Sequence, residues 1–105
     1  QAKWFQYESI SGSTTLGTEL AFGKKLRPLL NLEAADIIVD LSADVLGSHV
    51  THGVNNQGFA KRRAPEDGPM SRLYVVESRF SVTGIAADHR LAVAASQMPS
   101  FIADL

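Results

Sequence analysis

Asp36-Ile37-Ile38-Val39-Asp40-Leu41 (DIIVDL) is a short β-branched run with aspartates at Asp36 and Asp40. A run of this kind, apolar without clean alternation, reads as a strand buried on both faces of a parallel sheet. The next segments of the chain fit that reading. Ser42 to Ser48 (SADVLGS) is a loop at the strand's carboxyl end. Val50 to Lys61 is a helix with Val50, Val54 and Phe59 inward and His49, His52, Asn55 and Asn56 on other faces. Lys61 to Arg72 (KRRAPEDGPMSR) has two Pro, one Gly and six charged residues, which makes it a solvated connection. Leu73-Tyr74-Val75-Val76-Glu77 is then the clearest strand of the chain.

Toward the amino terminus, Lys3 to Glu8 (KWFQYE) is dense in aromatics and predicts a short strand, and Ile10 to Thr18 (ISGSTTLGT) predicts a loop. Thr18 is placed as the N-cap of a first helix, with Glu19 in its first turn. Leu20, Phe22, Leu26, Leu29 and Leu30 line one side of it, Gly23 weakens it and Pro28 kinks or ends it. Beyond the clearest strand, Ser78 to Asp88 turns back through a loop at Gly84 and an Ala-rich stretch. Arg90 to Ala94 reads as a short fourth strand, and Met98 to Leu105 starts a helix with Pro99 in its first turn. The order strand, helix, strand, helix, strand predicts an α/β fold. It has three layers, with flanking helices around a mainly parallel sheet of three to four strands, a Rossmann-like fragment with right-handed crossovers.

Composition narrows the function classes. The 105 residues make one domain or part of one. Hydrophobic residues are 45% and charged residues 20%, an ordinary globular balance. Ten Lys plus Arg against eleven Asp plus Glu give a net charge of −1, which argues against a nucleic-acid partner. There is no cysteine, hence no thiolate nucleophile, no disulfide and no ligand set for an iron–sulfur cluster. No apolar run approaches the ~20 residues of a membrane span, so direct membrane insertion is not expected. The chain starts at Gln1 without a signal segment and carries Phe101, Ile102 and Leu105 to its end, so both ends read as cut from a larger α/β domain.

In an open parallel sheet, ligands sit beyond the carboxyl ends of the strands. Those ends carry Ser9 to Thr15, Ser42 to Gly47 and Ser78 to Thr83, all rich in small hydroxyl residues. Ser11-Gly12-Ser13-Thr14-Thr15 is no Walker A loop, and no GxGxxG follows the first strand. His49 and His52, at i and i+3, have the spacing of a metal pair without a third ligand; the plainer reading is capping or solvent exposure. Asp88-His89-Arg90 evokes a hydrolase dyad, but no GxSxG elbow exists and a polar cap before the last strand is the simpler role. Lys61-Arg62-Arg63 is a basic helix end partly neutralised by Glu66 and Asp67. Glu77-Ser78-Arg79 with Thr83 is the most informative cluster: an acceptor pair and a planar cationic fork suit a base, ribose or pterin, or else form an internal Glu–Arg pair.

Two blocks carry a family resemblance. Ala34 to Asp44 (AADIIVDLSAD) and Leu73 to Asp88 (LYVVESRFSVTGIAAD) resemble the strand-and-loop blocks of the molybdopterin oxidoreductase superfamily, "ADvilviGsNp" and "vvviDpRrTeTa..AD". The departures are specific: Gly-Ser-Asn becomes Leu41-Ser42-Ala43-Asp44, and Asp-Pro-Arg becomes Glu77-Ser78-Arg79. The iron–sulfur B subunits of alternative complex III accommodate these changes, through Tyr7-Glu8-Ser9-Ile10, Leu20-Ala21-Phe22-Gly23, Glu66-Asp67-Gly68 and the stretches Arg72 to Ser78 and Ala87 to Leu91. That resemblance implies a non-catalytic scaffold in a membrane-attached quinol-oxidising electron-transfer complex, at the periplasmic face of the bacterial inner membrane. Its partners would be other domains and subunits of that respiratory complex. It implies no catalytic or metal-binding residue in this chain, with iron–sulfur clusters elsewhere in the parent protein. The alternative is a half-site for a guanine nucleotide or for molybdopterin guanine dinucleotide, formed by Ser42, Asp44, Glu77, Arg79 and Thr83.

Overall fold

Ile37–Leu41 (β1), Arg72–Glu77 (β2) and His89–Ala92 (β3) form one sheet in the order β1-β2-β3. Both pairings are parallel, with Ile38 opposite Leu73 and Val75 opposite Arg90. The structure is a computed structural model that describes residues 2–5, 7 and 12–105. His52–Lys61 (α2) and Val82–Ala86 (α3) connect successive strands, while Ser13–Phe22 (α1) and Met98–Ala103 (α4) lie outside the crossovers. The chain is a small α/β fold with a three-stranded parallel sheet and flanking helices, as DIIVDL and LYVVE predict.

Parallel strands need crossover connections, and the crossover helix buries whichever face it crosses. Ile38, Leu73 and Val75 point to one face and pack with Phe59 of α2 and with Leu32, Val45 and Leu46 from the connecting segments. Ala86 and Ala87, at the end of α3, pack against the same cluster. The opposite face presents Ile37, Val39, Tyr74 and Leu91, all exposed, and Val76, which is buried at its centre. Phe101 and Leu105, at the α4 end of the chain, approach it, leaving an apolar cavity of about 330 Å³ against Val39, Tyr74, Val76 and Leu91.

Four expectations change. Val50 and Val54, expected on the inward side of the helix ending at Lys61, are exposed, whereas Asn55, expected on another face, is buried and donates to Val45 O at 2.8 Å; of the three apolar residues Phe59 alone packs inward. The predicted strand at Lys3 to Glu8 does not form over its described residues, Lys3 to Phe5 and Tyr7, which carry no regular structure; the rest of it lies outside the described residues. The first helix starts earlier, at Ser13, inside the stretch read as a loop, and ends at Phe22 and not near Pro28. Gly23 closes it in the left-handed region (φ 67°), where a residue without Cβ is unstrained, and its N–H donates to Glu19 O. Thr18 is therefore interior and not a cap: its hydroxyl donates to Thr15 O at 2.9 Å and accepts from Leu26 N–H at 3.1 Å, tying the outgoing chain back to the helix. Finally, the stretch after Ser78 is not all loop. Ser81 Oγ accepts from Gly84 N–H and caps α3, the short crossover to β3.

The basic triplet also finds partners from outside its connection. Lys61 pairs with Glu33 at 2.8 Å, Arg62 with Asp36, and Arg63 with Asp88 through two bonds of 2.8 and 2.9 Å. The last pair is a clamp at the amino edge of the sheet. Asp88 also accepts from Leu73 N–H, and Arg63 also donates to Ser71 O. The Arg63 hydrogen bonds and the Leu73 amide outweigh burial and hold the Asp88 carboxyl down at about 2.

Candidate functional site at the carboxyl edge of the sheet

The loop after β1 is built around two aspartates. Asp40 is buried, and its carboxylate accepts from Ala43 N–H at 2.7 Å and Val45 N–H at 3.1 Å. That folds the chain sharply back, with Ser42 and Asp44 both at positive φ (61° and 48°). Non-glycine residues there are held only where the surroundings determine the conformation. The determinant for Asp44 is its hydrogen-bond set. Its Oδ1 accepts from both N–H and Oγ1–H of Thr83, at 3.1 and 2.9 Å, and its Oδ2 accepts from Ser48 N–H at 2.8 Å. Thr83 Oγ1 accepts in turn from Leu46 N–H. Burial pushes the Asp44 carboxyl up, but the bonds from Thr83 and Ser48 outweigh it and bring it down to about 2.

Glu77 closes β2 in the same manner. It is 2% exposed; Ser81 Oγ–H donates to its Oε2 at 2.5 Å and Arg90 Nε–H to its Oε1 at 2.6 Å. Burial again raises its pKa, and the Ser81 and Arg90 contacts prevail, so it stays lowered. Arg90 in turn lies over the Phe80 ring, 4.5 Å from its centroid. Asp44 and Glu77 each have a glycine against them. A methyl group on Gly47 would sit 2.5 Å from Asp44 Oδ2, and one on Gly84 would overlap Glu77 Oε1 more severely.

Of the five sequence-predicted site residues, Asp44 and Thr83 meet directly, and Glu77 lies beneath α3 through its contact with Ser81. Ser42 and Arg79 are exposed. Ser42 Oγ–H donates to Val76 O at 3.2 Å, whereas Arg79 makes no hydrogen bond or ion pair among the described residues. A Glu–Arg pair does form, but Glu77 takes Arg90 from the neighbouring strand and not Arg79. The register places residues 75 and 90 opposite each other, which brings Arg90 to the face that Glu77 occupies; no local spacing reveals it. Asp40, Ser81 and Arg90 are thus parts of this edge that sequence reasoning missed. Ser81, three residues before Gly84 at a helix start, had a readable capping signal.

The histidines serve the chain itself. His49 Nδ1 lies 2.8 Å from Thr51 Oγ1 and accepts from Thr51 N–H, and His52 Nδ1 lies 3.0 Å from His49 O. His89 stacks on Tyr74, with centroids 4.9 Å apart. Among the described residues, no three His, Asp or Glu side chains converge as metal ligands, and no helix is long and apolar enough to cross a membrane.

The fold and this edge define a small parallel α/β unit with internally bonded carboxylates. No protein-family model matches the chain, and no curated protein matches it significantly.

Proposed function

We infer that the chain is a non-catalytic scaffold, the reading that its resemblance to the molybdopterin oxidoreductase superfamily and alternative complex III implies. One observation carries it. At the edge where an α/β sheet receives its ligand, the polar side chains of Asp44, Thr83 and Glu77 are engaged by the chain's own amides, hydroxyls and Arg90. They hold loops in place and offer no free donor.

A guanine dinucleotide cofactor does not fit these residues. Its pyrophosphate wants backbone amides and cations, but the Thr83 and Ser48 amides already serve Asp44, and both carboxylates are held in the ionised form. The exposed pair Ser42 and Arg79 is what favours the alternative, a half-site for a guanine nucleotide. In the scaffold reading, apolar groups left at the surface on and beside α2 and α3, Val54, Phe80, Val82 and Ile85, face neighbouring domains or subunits of a periplasmic electron-transfer complex.

Titration of ¹⁵N-labelled chain with guanosine monophosphate and triphosphate separates the two. The scaffold reading expects amide shifts within noise at millimolar nucleotide. Saturable shifts gathered at Asp44 and residues 77–83 would overturn it in favour of the half-site.

A further inference from the structure

The two crossover helices α2 and α3 lie on the same side of the sheet, so the other side receives no crossover helix. A parallel sheet is stable with both faces covered. The open face carries Ile37, Val39, Tyr74 and Leu91, with α4 reaching only part of it. The same chain holds apolar groups that cover nothing. In α1 no residue is buried, and Leu16, Leu20 and Phe22 are exposed. Ahead of it, Trp4, Phe5 and Tyr7 are 88%, 85% and 88% exposed.

These two sets cannot meet within one copy as the chain is folded. Thr14 and Thr15 of α1 line a cavity with His49 and Val50, beside the start of α2, and so on the already covered side. The radius of gyration, 16.2 Å, exceeds the ~13 Å of a compact chain of about this length, and the longest dimension is 58 Å.

We propose that a second copy of this chain covers the open face, the aromatic arm and α1 of each copy lying across the strands of the other. The dimensions match. A ten-residue helix is about 15 Å long, and strands of four to six residues run about 13–20 Å. The area suffices as well. Three nearly bare aromatic side chains bring roughly 500 Å² per arm. Covering as much of the face, twice over in a two-fold pair, removes about 2,000 Å², the upper end of the standard range for a stable interface. Face against face alone, without the arms, has no such surplus. This dimer stands on geometry and is independent of the scaffold reading; the surfaces invoked there, on and beside α2 and α3, stay free.

The test is sedimentation velocity of the 105-residue chain combined with emission from Trp4, its single tryptophan. The expected result is a dimer at tens of micromolar, with Trp4 emission moving to the blue as the dimer forms. Leu20→Lys, on α1, and Val39→Lys, on the open face, change side chains that are 79% and 49% exposed, so each folds as the parent does by circular dichroism. Each raises the dissociation constant about tenfold or more. Mixing the two variants restores part of the affinity, because the Val39→Lys copy still has a good arm and the Leu20→Lys copy a good face. A monomer at several hundred micromolar, a dimer that neither substitution weakens, or a mixture no tighter than its components overturns the proposal.

Discussion

Ile38 and Val39 are neighbours on β1 with nearly the same chemistry, yet Ile38 is sealed under α2 while Val39 is half exposed. Much the same division runs across the sheet, Leu73 and Val75 against Tyr74 and Leu91, with Val76 the buried exception on the second face. Strand composition therefore does not decide which face is buried. Connectivity does: a helix covers the face it crosses, and both crossovers in this chain lie on one side. A run such as DIIVDL has the composition for two covered faces, and the fold of one copy covers one.

Truncation should expose this difference most strongly. Leu73→Ala is expected to lose about 2–5 kcal/mol of unfolding free energy. Leu91→Ala, on the open face, should lose under about 1 kcal/mol in urea melts run at low micromolar concentration. Equal losses would mean that both faces are covered even in dilute solution.

Acid should act on the covered side next. Asp44 and Asp88 are held at about 2, below the ordinary 3.8 of an aspartate in the unfolded chain. Between those values the unfolded chain binds more protons, so stability is fully present above the unfolded pKa and falls with pH as it approaches 2. Each group is worth about 2 kcal/mol across that window. Urea midpoints should be flat from pH 7 to 5 and drop steeply from about pH 4 to 2, with a shallower drop in Asp88→Asn. A profile that stays flat to pH 2 would remove the internal role assigned to both carboxylates.

Glycines extend the contrast. Gly84→Ala forces a methyl group against Glu77, whose end is fixed by Ser81 and Arg90 and cannot swing away, so about 1–3 kcal/mol should be lost. Gly53→Ala on α2 meets nothing within 4 Å and should gain up to about 1 kcal/mol through helix propensity. Thermal melts of the pair give the sign directly. The smallest effect is expected at Ser71, fully buried with its Oγ unpartnered, where Ser71→Ala should be neutral or stabilising by about 1 kcal/mol.

The strands at residues 37–41 and 72–77 were legible because β-branched runs between loop signals leave few alternatives. Helix α1 was legible only in its second half: Ser13-Thr14-Thr15 and Gly17 are weak helix formers that hide its start, and Leu26, Leu29 and Leu30, counted on its apolar side, lie beyond its end at Phe22. The candidate site was legible as a set of residue types at strand ends, and two of that set, Asp44 and Thr83, do meet. The pairing of Glu77 was not legible. Sequence spacing points to Arg79, two residues on, and only the parallel register selects Arg90 for Glu77.

The carboxylate–glycine contacts bear on how this sequence can drift. With a glycine against Asp44 and another against Glu77, neither partner can change size alone: a side chain at position 84 requires a shorter acid at 77, and one at position 47 requires a small residue without a carboxylate in place of Asp44. Each pair is a single unit of variation. Among diverged copies of this fold, alanine at 84 should travel with loss of the glutamate, and a search for ligand-binding residues that scored either position alone would mistake a packing constraint for a site.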